Sequence, residues 1–314
     1  MRAVAVSTWG GPEVLHVVDL PDPEAGPGEV RIRVHAAAVN PTDTQLRSGQ
    51  RAERLKDVPP PHVPGMDAAG VLEQVGEGAP TDLRVGERVM AIVLPLAPRG
   101  AYAERVVVPA SSVVRSPAGT SDAEAATLPT NGLTARLALD VLSLGPGQTL
   151  AVTGAAGAVG GYAVQLGAAE GLTVVADAGP ADDALVRDFG ADGVVARGEG
   201  YAARVRTLVP GGADGLVDAA LLGARAVDAV RDAGRVVTLR GYDGDGEAHR
   251  GITFHPVYVR NYAHEREKLD RLRAQAEDGT LTLRVARTFP ADRAPEAHRL
   301  FEAGGVRGRL VLEF

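Results

Sequence analysis

A glycine-rich turn between an apolar strand and a helix is the sequence feature that most constrains this chain. It lies in residues 148–161, which read QTLAVTGAAGAVGG. The spacing Ala155-x-Gly157-x-x-Gly160 matches the dinucleotide-binding pattern, with alanine at the first glycine position. Small residues are needed there because the backbone must turn tightly and bring free amide groups at a helix N-terminus close to a pyrophosphate. A purely structural strand-to-helix turn has a similar composition.

The residues after the turn favour a nucleotide site. Residues 158–170 have a helical composition, and residues 172–176 (LTVVA) form a β-branched strand followed by Asp177. Asp177 lies seventeen residues after Gly160, about where an acidic side chain meets an adenosine ribose. The candidate cofactor-binding residues of this unit are Gly154, Ala155, Ala156, Gly157, Ala158, Val159, Gly160 and Asp177.

Length and composition indicate a globular protein of about two domains. The chain has 314 residues, of which 45% are hydrophobic and 23% are charged. A net charge of -7 without a basic cluster argues against a nucleic-acid partner. There is no long apolar segment, so no membrane partner is expected and the cytoplasm is the predicted location. Cysteine is absent, which excludes disulfides, thiolate nucleophiles and cysteine-bearing zinc sites.

The pattern of predicted secondary structure changes along the chain. Up to about residue 121, short β-rich runs alternate with proline and glycine turns, which is typical of a small barrel or sandwich; strands are predicted at 31–37, 70–75, 88–94 and 104–108. From about residue 123 to 261, strands alternate with helices, which predicts a doubly wound parallel sheet. The remaining strands of that sheet are predicted at 193–195, 215–218 and 235–239, and its helices at 182–189, 201–209 and 224–232. The tail is predicted to contain helix 262–278, strand 280–287, helix 292–303 and strand 309–314.

A series of motifs, in order along the chain, resembles one known group. They are AAAVNPTD at 36–43, PGMDAAG at 64–70, VGERV at 85–89, GAYAE at 100–104, Leu128-Pro129 with LTA at 133–135, and the glycine-rich turn. Together they resemble the quinone oxidoreductase branch of the medium-chain dehydrogenase/reductase superfamily. The resemblance implies an α/β protein with an N-terminal GroES-like β-barrel domain, residues 1–122 and 265–314, and a Rossmann domain, residues 123–264. It also implies an active site in the cleft between the domains.

Departures from the zinc-dependent relatives bear on the chemistry. The resemblance implies that zinc-dependent relatives have a cysteine near the position of Asn40 and a His-Glu pair at the positions of Met66 and Asp67. This chain has neither. Its seven histidines show no HExxH-like spacing, so no metal site is predicted. Without a metal to stabilise an alkoxide, the acceptor must carry its own electron sink, as quinones and α,β-unsaturated carbonyl compounds do.

The sequence therefore predicts a zinc-independent, NAD(P)H-dependent oxidoreductase that transfers a hydride to a small-molecule quinone or α,β-unsaturated carbonyl compound. Two other interpretations stay open. One is a biosynthetic enoyl reductase that acts on a carrier- or coenzyme-bound chain, and the other is a catalytically silent nucleotide-binding protein with a structural or regulatory role. The physiological substrate is not encoded in any recognisable pattern.

The resemblance places three hydrogen-bond donors near the cleft as catalytic candidates. They are the Asn40 and Gln45 amides and the Thr130 hydroxyl, and Asn40 and Thr130 are also candidates for cofactor binding. Tyrosines that related reductases carry at or slightly beyond Gln45 are missing. Structural roles are predicted for three other motif residues: Asp43 as a helix or loop cap, Asp67 as a buried hydrogen-bonding carboxylate and Tyr102 as a packed aromatic.

The residues near the predicted ribose site and the family resemblance indicate different cofactors. Asp177 would accept hydrogen bonds from ribose hydroxyls and repel a 2′-phosphate, which slightly favours NADH. The resemblance implies NADPH, and Arg197 is placed to pair with a phosphate. Arg240 and Gly241 complete the predicted cofactor-binding residues.

An apolar run late in the chain predicts a homodimer. Residues 252–259 (ITFHPVYV) lie near the end of the predicted parallel sheet, where the final strand is an edge. Pro256 interrupts the run, and a proline can keep an edge unpaired. Dimers paired through this edge are common in the group that the chain resembles, which favours dimerisation.

Overall fold

The structure of the chain, a computed structural model, describes residues 1–96, 98–239, 241–244 and 250–314. These residues divide into two compact units. The GroES-like unit comprises Met1–Thr130, Ala263–Asp278 and Leu283–Phe314, and the Rossmann unit comprises Asn131–Tyr262 and Gly279–Thr282. The domain limits placed after residues 122 and 264 from the sequence stay predictions.

The first part of the chain is rich in strands. The strands are β1 (Arg2–Val6), β2 (Leu15–Asp19), β3 (Glu29–Ala38), β4 (Asp67–Val75), β5 (Arg88–Ile92), β6 (Arg105–Pro109) and β7 (Val113–Arg115), and the helices are α1 (Pro41–Ser48) and α2 (Asp122–Ala125). The four strands predicted for this part correspond to β3, β4, β5 and β6, although the predicted 88–94 extends two residues beyond β5 and the predicted 104–108 begins one residue before β6. Branched side chains suit these strands because they pack well on a pleated, half-buried surface.

The middle part alternates strands and helices. The helices are α3 (Pro129–Leu142), α4 (Ala158–Ala169), α5 (Asp183–Asp188), α6 (Tyr201–Leu208) and α7 (Ala224–Val227), and the strands are β8 (Thr149–Thr153), β9 (Thr173–Ala178), β10 (Gly193–Ala196), β11 (Ala213–Asp218), β12 (Val230–Thr238) and β13 (Thr253–Pro256). The strands pair in parallel in the order β10-β9-β8-β11-β12-β13, which confirms the doubly wound sheet.

The tail returns to the first sheet. Helices α8 (Arg266–Glu277) and α9 (Ala294–Ala303) and strands β14 (Val285–Pro290) and β15 (Arg309–Glu313) follow the Rossmann unit. Strand β15 pairs with β3 and extends the sheet in the order β14-β15-β3-β4-β5-β7, while β6 pairs with the other end of β3. The core of the GroES-like unit contains buried side chains from the tail as well, among them Phe289, Leu310 and Leu312.

Three predicted elements differ from the structure. The helix predicted over 224–232 is wrong beyond Val227, because the chain leaves the helix there and Val230 pairs with Ala213 of β11. The helix predicted over 262–278 begins only at Arg266, after a short 3₁₀ turn at Val259–Tyr262. The strand predicted from residue 280 begins only at Val285.

The described part of the chain contains no helix that is both long enough and apolar enough to cross a membrane.

A glycine in the middle of β4 allows two strands to approach closely. Gly70 lies opposite Val34 of β3 and Val89 of β5. A Cβ atom on Gly70 would lie 2.0 Å from the carbonyl oxygen of Arg33 and 2.9 Å from the amide nitrogen of His35. Both contacts are with backbone in the centre of a sheet, so neither can move away cheaply.

We expect Gly70→Ala to lower the free energy of unfolding by about 1–3 kcal/mol, because the added methyl group overpacks a paired strand. Denaturant unfolding measures this change. Gly211→Ala is the matched control: Gly211 is exposed, and a Cβ atom there would meet no other atom within 4 Å. Equal stability of the two variants would contradict the proposed close approach.

Candidate functional site

The GroES-like unit contains a group of buried polar side chains, here called the Asn-Asp cluster. Its members are Asn40, Asp43, Asp67, Tyr102, Thr130 and His298, and each is at most 7% exposed. Asn40 immediately precedes α1, Asp67 opens β4, and Thr130 lies in the first turn of α3. Several candidates from the sequence therefore meet in one unit, because the ends of these elements converge.

Asp43 caps the first helix and ties it to the loop before β4. Its Oδ2 accepts the backbone N–H of Asn40 at 2.8 Å, and its Oδ1 accepts the backbone N–H of Gly65 at 3.1 Å. An acidic side chain in the first turn suits the free amides and the dipole of the helix. The capping role predicted for Asp43 is confirmed.

Asp67 connects Asn40 with the start of α3. Its Oδ2 accepts the Asn40 Nδ2 amide at 2.6 Å, and its Oδ1 accepts the backbone N–H of Thr130 at 2.6 Å. Asp67 is fully buried, so its predicted role as a buried hydrogen-bonding carboxylate is confirmed.

These bonds occupy two of the predicted donors. The Asn40 amide donates to Asp67 and also to the carbonyl oxygen of Ala38 at 3.3 Å, and the Thr130 hydroxyl donates to the Met66 carbonyl oxygen at 3.4 Å. Donation by either group to a ligand would require one of these bonds to be exchanged. The catalytic and cofactor-binding roles of Asn40 and Thr130 stay predictions.

Gln45 has a free donor. Its amide oxygen accepts a hydrogen bond from Arg51 Nε at 3.1 Å, and its side chain is half-buried on α1. Because Arg51 can only donate, this bond fixes the orientation of the amide and leaves the NH₂ end directed elsewhere. In the described residues that NH₂ group has no hydrogen-bond partner. Gln45 is thus the predicted donor whose hydrogen atoms remain available.

Tyr102 and His298 extend the Asn-Asp cluster to the tail of the chain. The Tyr102 hydroxyl lies 3.3 Å from Asp43 Oδ2 and 3.2 Å from His298 Nε2. Burial lowers the pKa of His298 to about 3, so its ring is neutral. If Tyr102 donates to Asp43, the histidine must donate through Nε2. The packed position predicted for Tyr102 is confirmed, but its hydrogen bonds and the role of His298 were not anticipated.

Both carboxylates of the Asn-Asp cluster hold protons more tightly than usual. Burial, opposed by the backbone N–H of Asn40, raises the pKa of Asp43 to about 7, and the charge of Asp67 adds to this increase. Burial also raises the pKa of Asp67 to about 6, although the hydrogen bonds from Thr130 and Asn40 oppose it. Two buried acids next to each other therefore resist simultaneous ionisation.

The glycine-rich loop of the Rossmann unit opens onto the first turn of α4. The hydrogen bonds of this helix begin with the Gly161 N–H, which donates to the Gly157 carbonyl oxygen at 3.0 Å. The amides of Ala158, Val159 and Gly160 precede that bond at the helix N-terminus, where an anion is favoured. The predicted succession of loop and helix is present, and the binding of a pyrophosphate by its residues stays a prediction.

Two glycines hold the loop in shape. Gly154 has a φ of 67°, and a Cβ atom on it would lie 3.1 Å from the Ala220 amide nitrogen. A Cβ atom on Gly160 would lie 2.3 Å from the Gly154 carbonyl oxygen. Helix α4 therefore packs directly on the backbone of the loop, which only glycine permits.

Asp177 lies beneath this loop. It is 4% exposed, and its Oδ1 accepts the Ala155 backbone N–H at 3.2 Å. Burial raises its pKa, while hydrogen bonds from Ala155 and Gly154 oppose the shift. The sequence predicted a contact with ribose hydroxyls, but the carboxylate is directed to the protein backbone in this structure. The preference for NADH that was inferred from Asp177 is therefore not supported, and the contact of Asp177 with the ribose stays a prediction.

Arg197 lies at the end of the neighbouring strand and is exposed. Its backbone N–H donates to the Ala178 carbonyl oxygen at 3.1 Å, and its Nε would lie 3.6 Å from a Cβ atom on Gly179, the residue that follows β9. No other charged side chain forms an ion pair with Arg197 in the described residues. Gly241 is described, with a φ of 81°, whereas Arg240 lies outside the described residues.

Among the residues that the structure describes, no three His, Cys, Asp or Glu side chains are grouped so that they could hold a metal ion.

Family models match both parts of the chain. The alcohol dehydrogenase GroES-like domain matches residues 26–118, and the zinc-binding dehydrogenase model matches residues 189–312. The quinone oxidoreductase of Pseudomonas aeruginosa is 36% identical over 168 residues, which is 52% of this chain and 48% of that protein. The chain thus spans about half the length of the curated relatives it matches.

Solved structures match the full chain. An NAD-dependent alcohol dehydrogenase is 32% identical with a TM-score of 0.84, and both chains are covered completely. A mycobacterial protein in complex with NADPH is 29% identical with a TM-score of 0.86, again with complete coverage. The chain belongs to the quinone oxidoreductase branch of the medium-chain dehydrogenase/reductase superfamily. The GroES-like and Rossmann folds predicted from the sequence are thereby confirmed.

The raised pKa values of the Asn-Asp cluster predict that stability falls as pH rises. The folded chain binds protons at Asp43 and Asp67 more tightly than the unfolded chain, so their protonation stabilises the fold below the folded pKa values of about 7 and about 6. Between pH 6 and pH 8 we expect a loss of about 1–2 kcal/mol in the free energy of unfolding. Denaturant unfolding followed by fluorescence of Trp9, the single tryptophan, measures this loss.

Asp43→Asn should flatten this pH dependence, and it should also lower the stability because the NH₂ end of an amide cannot accept the hydrogen bonds that both Asp43 oxygens accept. Asp57→Asn is the control, since it is the same substitution at an exposed aspartate outside the Asn-Asp cluster. A pH dependence that persists unchanged in Asp43→Asn would show that other groups cause it.

Proposed function

We propose that this protein is a zinc-independent oxidoreductase that uses NADPH to reduce a quinone or an α,β-unsaturated carbonyl compound. The observation that carries the proposal is the packing of α4 on the glycine-rich loop, which leaves the Ala158, Val159 and Gly160 amides at the helix N-terminus. When bound there, a nicotinamide dinucleotide supplies a hydride. The protein then has to hold the dinucleotide, orient the acceptor and stabilise the negative charge on its oxygen.

Gln45 is the proposed donor to the acceptor oxygen. Its NH₂ end has no partner in the described residues, and Arg51 keeps the oxygen end of the amide turned away. A well-placed donor of this kind contributes about 2.7–4 kcal/mol to the stabilisation of a developing oxyanion. An amide does not supply a proton readily, so the proton that completes the reduction comes from solvent in this proposal.

The choice of NADPH rests on the two charged residues near the end of β9. The Asp177 carboxylate is buried under the loop and does not present its charge at the surface, whereas the Arg197 guanidinium is exposed beside Gly179. A phosphate on the adenosine ribose would meet a cation there. The mycobacterial neighbour in complex with NADPH supports this choice, and the NAD-dependent neighbour does not.

Zinc independence is proposed from the donor set of the chain. Cysteine is absent, and Met66 occupies the position where zinc-dependent relatives have a histidine. A carbonyl compound without conjugation would then lack stabilisation for the charge on its oxygen, which is why a conjugated acceptor is proposed.

A screen that follows nicotinamide absorbance tests the function. With NADPH, we expect turnover of quinones or enals and little turnover of simple aldehydes. Elemental analysis should find no stoichiometric zinc, and a chelator should leave the rate unchanged. Activity that requires zinc would overturn zinc independence. Turnover of coenzyme A-bound enoyl substrates alone would identify a biosynthetic enoyl reductase, and dinucleotide binding without any turnover would identify a silent binding protein.

We also propose a homodimer that forms through β13. This strand is the edge of the parallel sheet, and it leads into the exposed side chain of Tyr258. An edge strand with apolar neighbours is protected when it pairs with its twofold mate.

Light scattering should therefore give about twice the 32.4 kDa mass of one chain. Tyr258→Lys should shift the protein toward monomer, because it places a charge near the proposed contact. Leu208→Lys is the control, since Leu208 is an exposed apolar side chain on α6. A monomeric wild-type protein at micromolar concentration would exclude the dimer.

A further inference from the structure

We propose that Asp177 is a positioning residue that fixes the glycine-rich loop for both nicotinamide dinucleotides, and that it is not a ligand of the adenosine ribose. The inference rests on the proposed function, because it concerns the same dinucleotide site. It assigns selection between NADH and NADPH to residues other than the acidic one that the sequence pattern indicates.

The direction of the Asp177 side chain follows from its place within β9. The strand continues through Ala178, so Asp177 is a strand residue, and it pairs in register with Val195 of β10. Side chains alternate along a strand, which places Asp177 on the same face as Val175. Val175 and Val195 pack in one core cluster with Tyr201 of α6. The Asp177 carboxylate therefore belongs to a buried face of the sheet, where it needs hydrogen-bond donors.

The donors come from the glycine-rich loop. The Ala155 N–H donates to Asp177 Oδ1 at 3.2 Å, and the Ala155 residue itself is fully buried. Without this carboxylate, a buried backbone N–H would lose its acceptor, which is costly in the absence of water.

The turn at Gly154 and Ala155, which Asp177 binds, is coupled to the N-terminus of α4 through backbone contacts. The Gly154 carbonyl oxygen accepts the Gly157 N–H at 2.9 Å, and it is also the atom that a Cβ atom on Gly160 would meet first. Gly154 in turn packs on the backbone of Ala219 and Ala220. A shift of the turn at Gly154 and Ala155 would therefore displace the first residues of α4, whose amides are proposed to bind the pyrophosphate.

A second buried aspartate has the same kind of role on the other side of β8. Asp218 accepts the Thr153 hydroxyl at 2.6 Å and the backbone N–H groups of Leu222 and Gly223 at 3.0 and 2.8 Å. The Thr153 hydroxyl accepts the Ala220 N–H at 2.9 Å. Thus each strand that flanks β8 carries, at its last or next-to-last residue, a carboxylate that binds loop backbone, and this shared arrangement supports the assignment for Asp177.

The neighbourhood also provides a control residue. Tyr201 is 1% exposed, and its hydroxyl has no hydrogen-bond partner in the described residues. The charges of Asp177 and Asp218 both act on this hydroxyl, so it lies in the same region of the core. Tyr201→Phe therefore changes the buried surroundings of Asp177 without removing a hydrogen bond from the loop.

The test measures the dissociation constants of NADPH and NADH separately, by fluorescence titration, for the wild-type protein and for Asp177→Ala, Asp177→Asn, Arg197→Ala and Tyr201→Phe. For Asp177→Ala we expect both dinucleotides to bind more weakly by on the order of tenfold, with an unchanged ratio between them. Asp177→Asn retains an acceptor oxygen and should restore most of the affinity for both. Arg197→Ala should weaken NADPH alone, and Tyr201→Phe should match the wild type.

Amide hydrogen exchange of the protein without ligand gives a second readout. In Asp177→Ala, exchange should become faster at residues 154–160 while the rest of the parallel sheet stays protected, because the loop has lost its anchor. This measurement does not depend on turnover or on a bound dinucleotide.

The outcomes separate the inference from the proposed function. If the wild type binds a dinucleotide but Asp177→Ala or Asp177→Asn changes the NADPH to NADH ratio by about tenfold or more, Asp177 contacts the ribose and the inference is wrong. Unchanged affinities for both dinucleotides in Asp177→Ala would also overturn it. If the wild type binds neither dinucleotide, the proposed function fails, and the inference fails with it.

Discussion

The close approach of α4 to the backbone of the loop before it is the constraint on which the Rossmann unit depends. At Gly160 the helix lies against the Gly154 carbonyl oxygen at a distance that no other residue type allows. This contact determines where the helix begins, and the helix start determines where its free amides lie. The carboxylates of Asp177 and Asp218 then hold the backbone on either side of β8, so the position of the loop is set from several directions.

The GroES-like unit buries two carboxylates, and among the residues that the structure describes Asp43 forms no ion pair with a basic side chain. Backbone N–H groups, the Asn40 amide and the Tyr102 hydroxyl supply hydrogen bonds in place of a counter-ion. Those bonds only partly offset the cost of burial, which is why both acids have raised pKa values. These hydrogen bonds fix the local geometry, because the side chains of Asp43 and Asp67 join the start of α1, the start of β4 and the first turn of α3.

Local patterns in the sequence were enough to predict the glycine-rich loop, the parallel sheet and most strands of the first sheet, although β7 was not predicted. They were not enough to assign Asp177. The predicted strand covered residues 172–176 and ended at Asp177, whereas β9 continues to Ala178. Asp177 is therefore followed by a further strand residue, and it lies on the same face of the sheet as the buried Val175. His298 could not be found in this way, since its contact with Tyr102 joins positions far apart in the chain.

The pairing of β15 with β3 has a consequence for the order of events during synthesis. The residues of the Rossmann unit are nearly continuous in the chain, so most of that unit can form as soon as residues 131–282 have left the ribosome. Most of the GroES-like unit is synthesised first, but its folding is completed last. Strand β3 cannot pair with β15, and Tyr102 cannot contact His298, until the tail emerges. During that interval the nascent chain exposes an incomplete sheet edge, the state in which a chaperone is most useful.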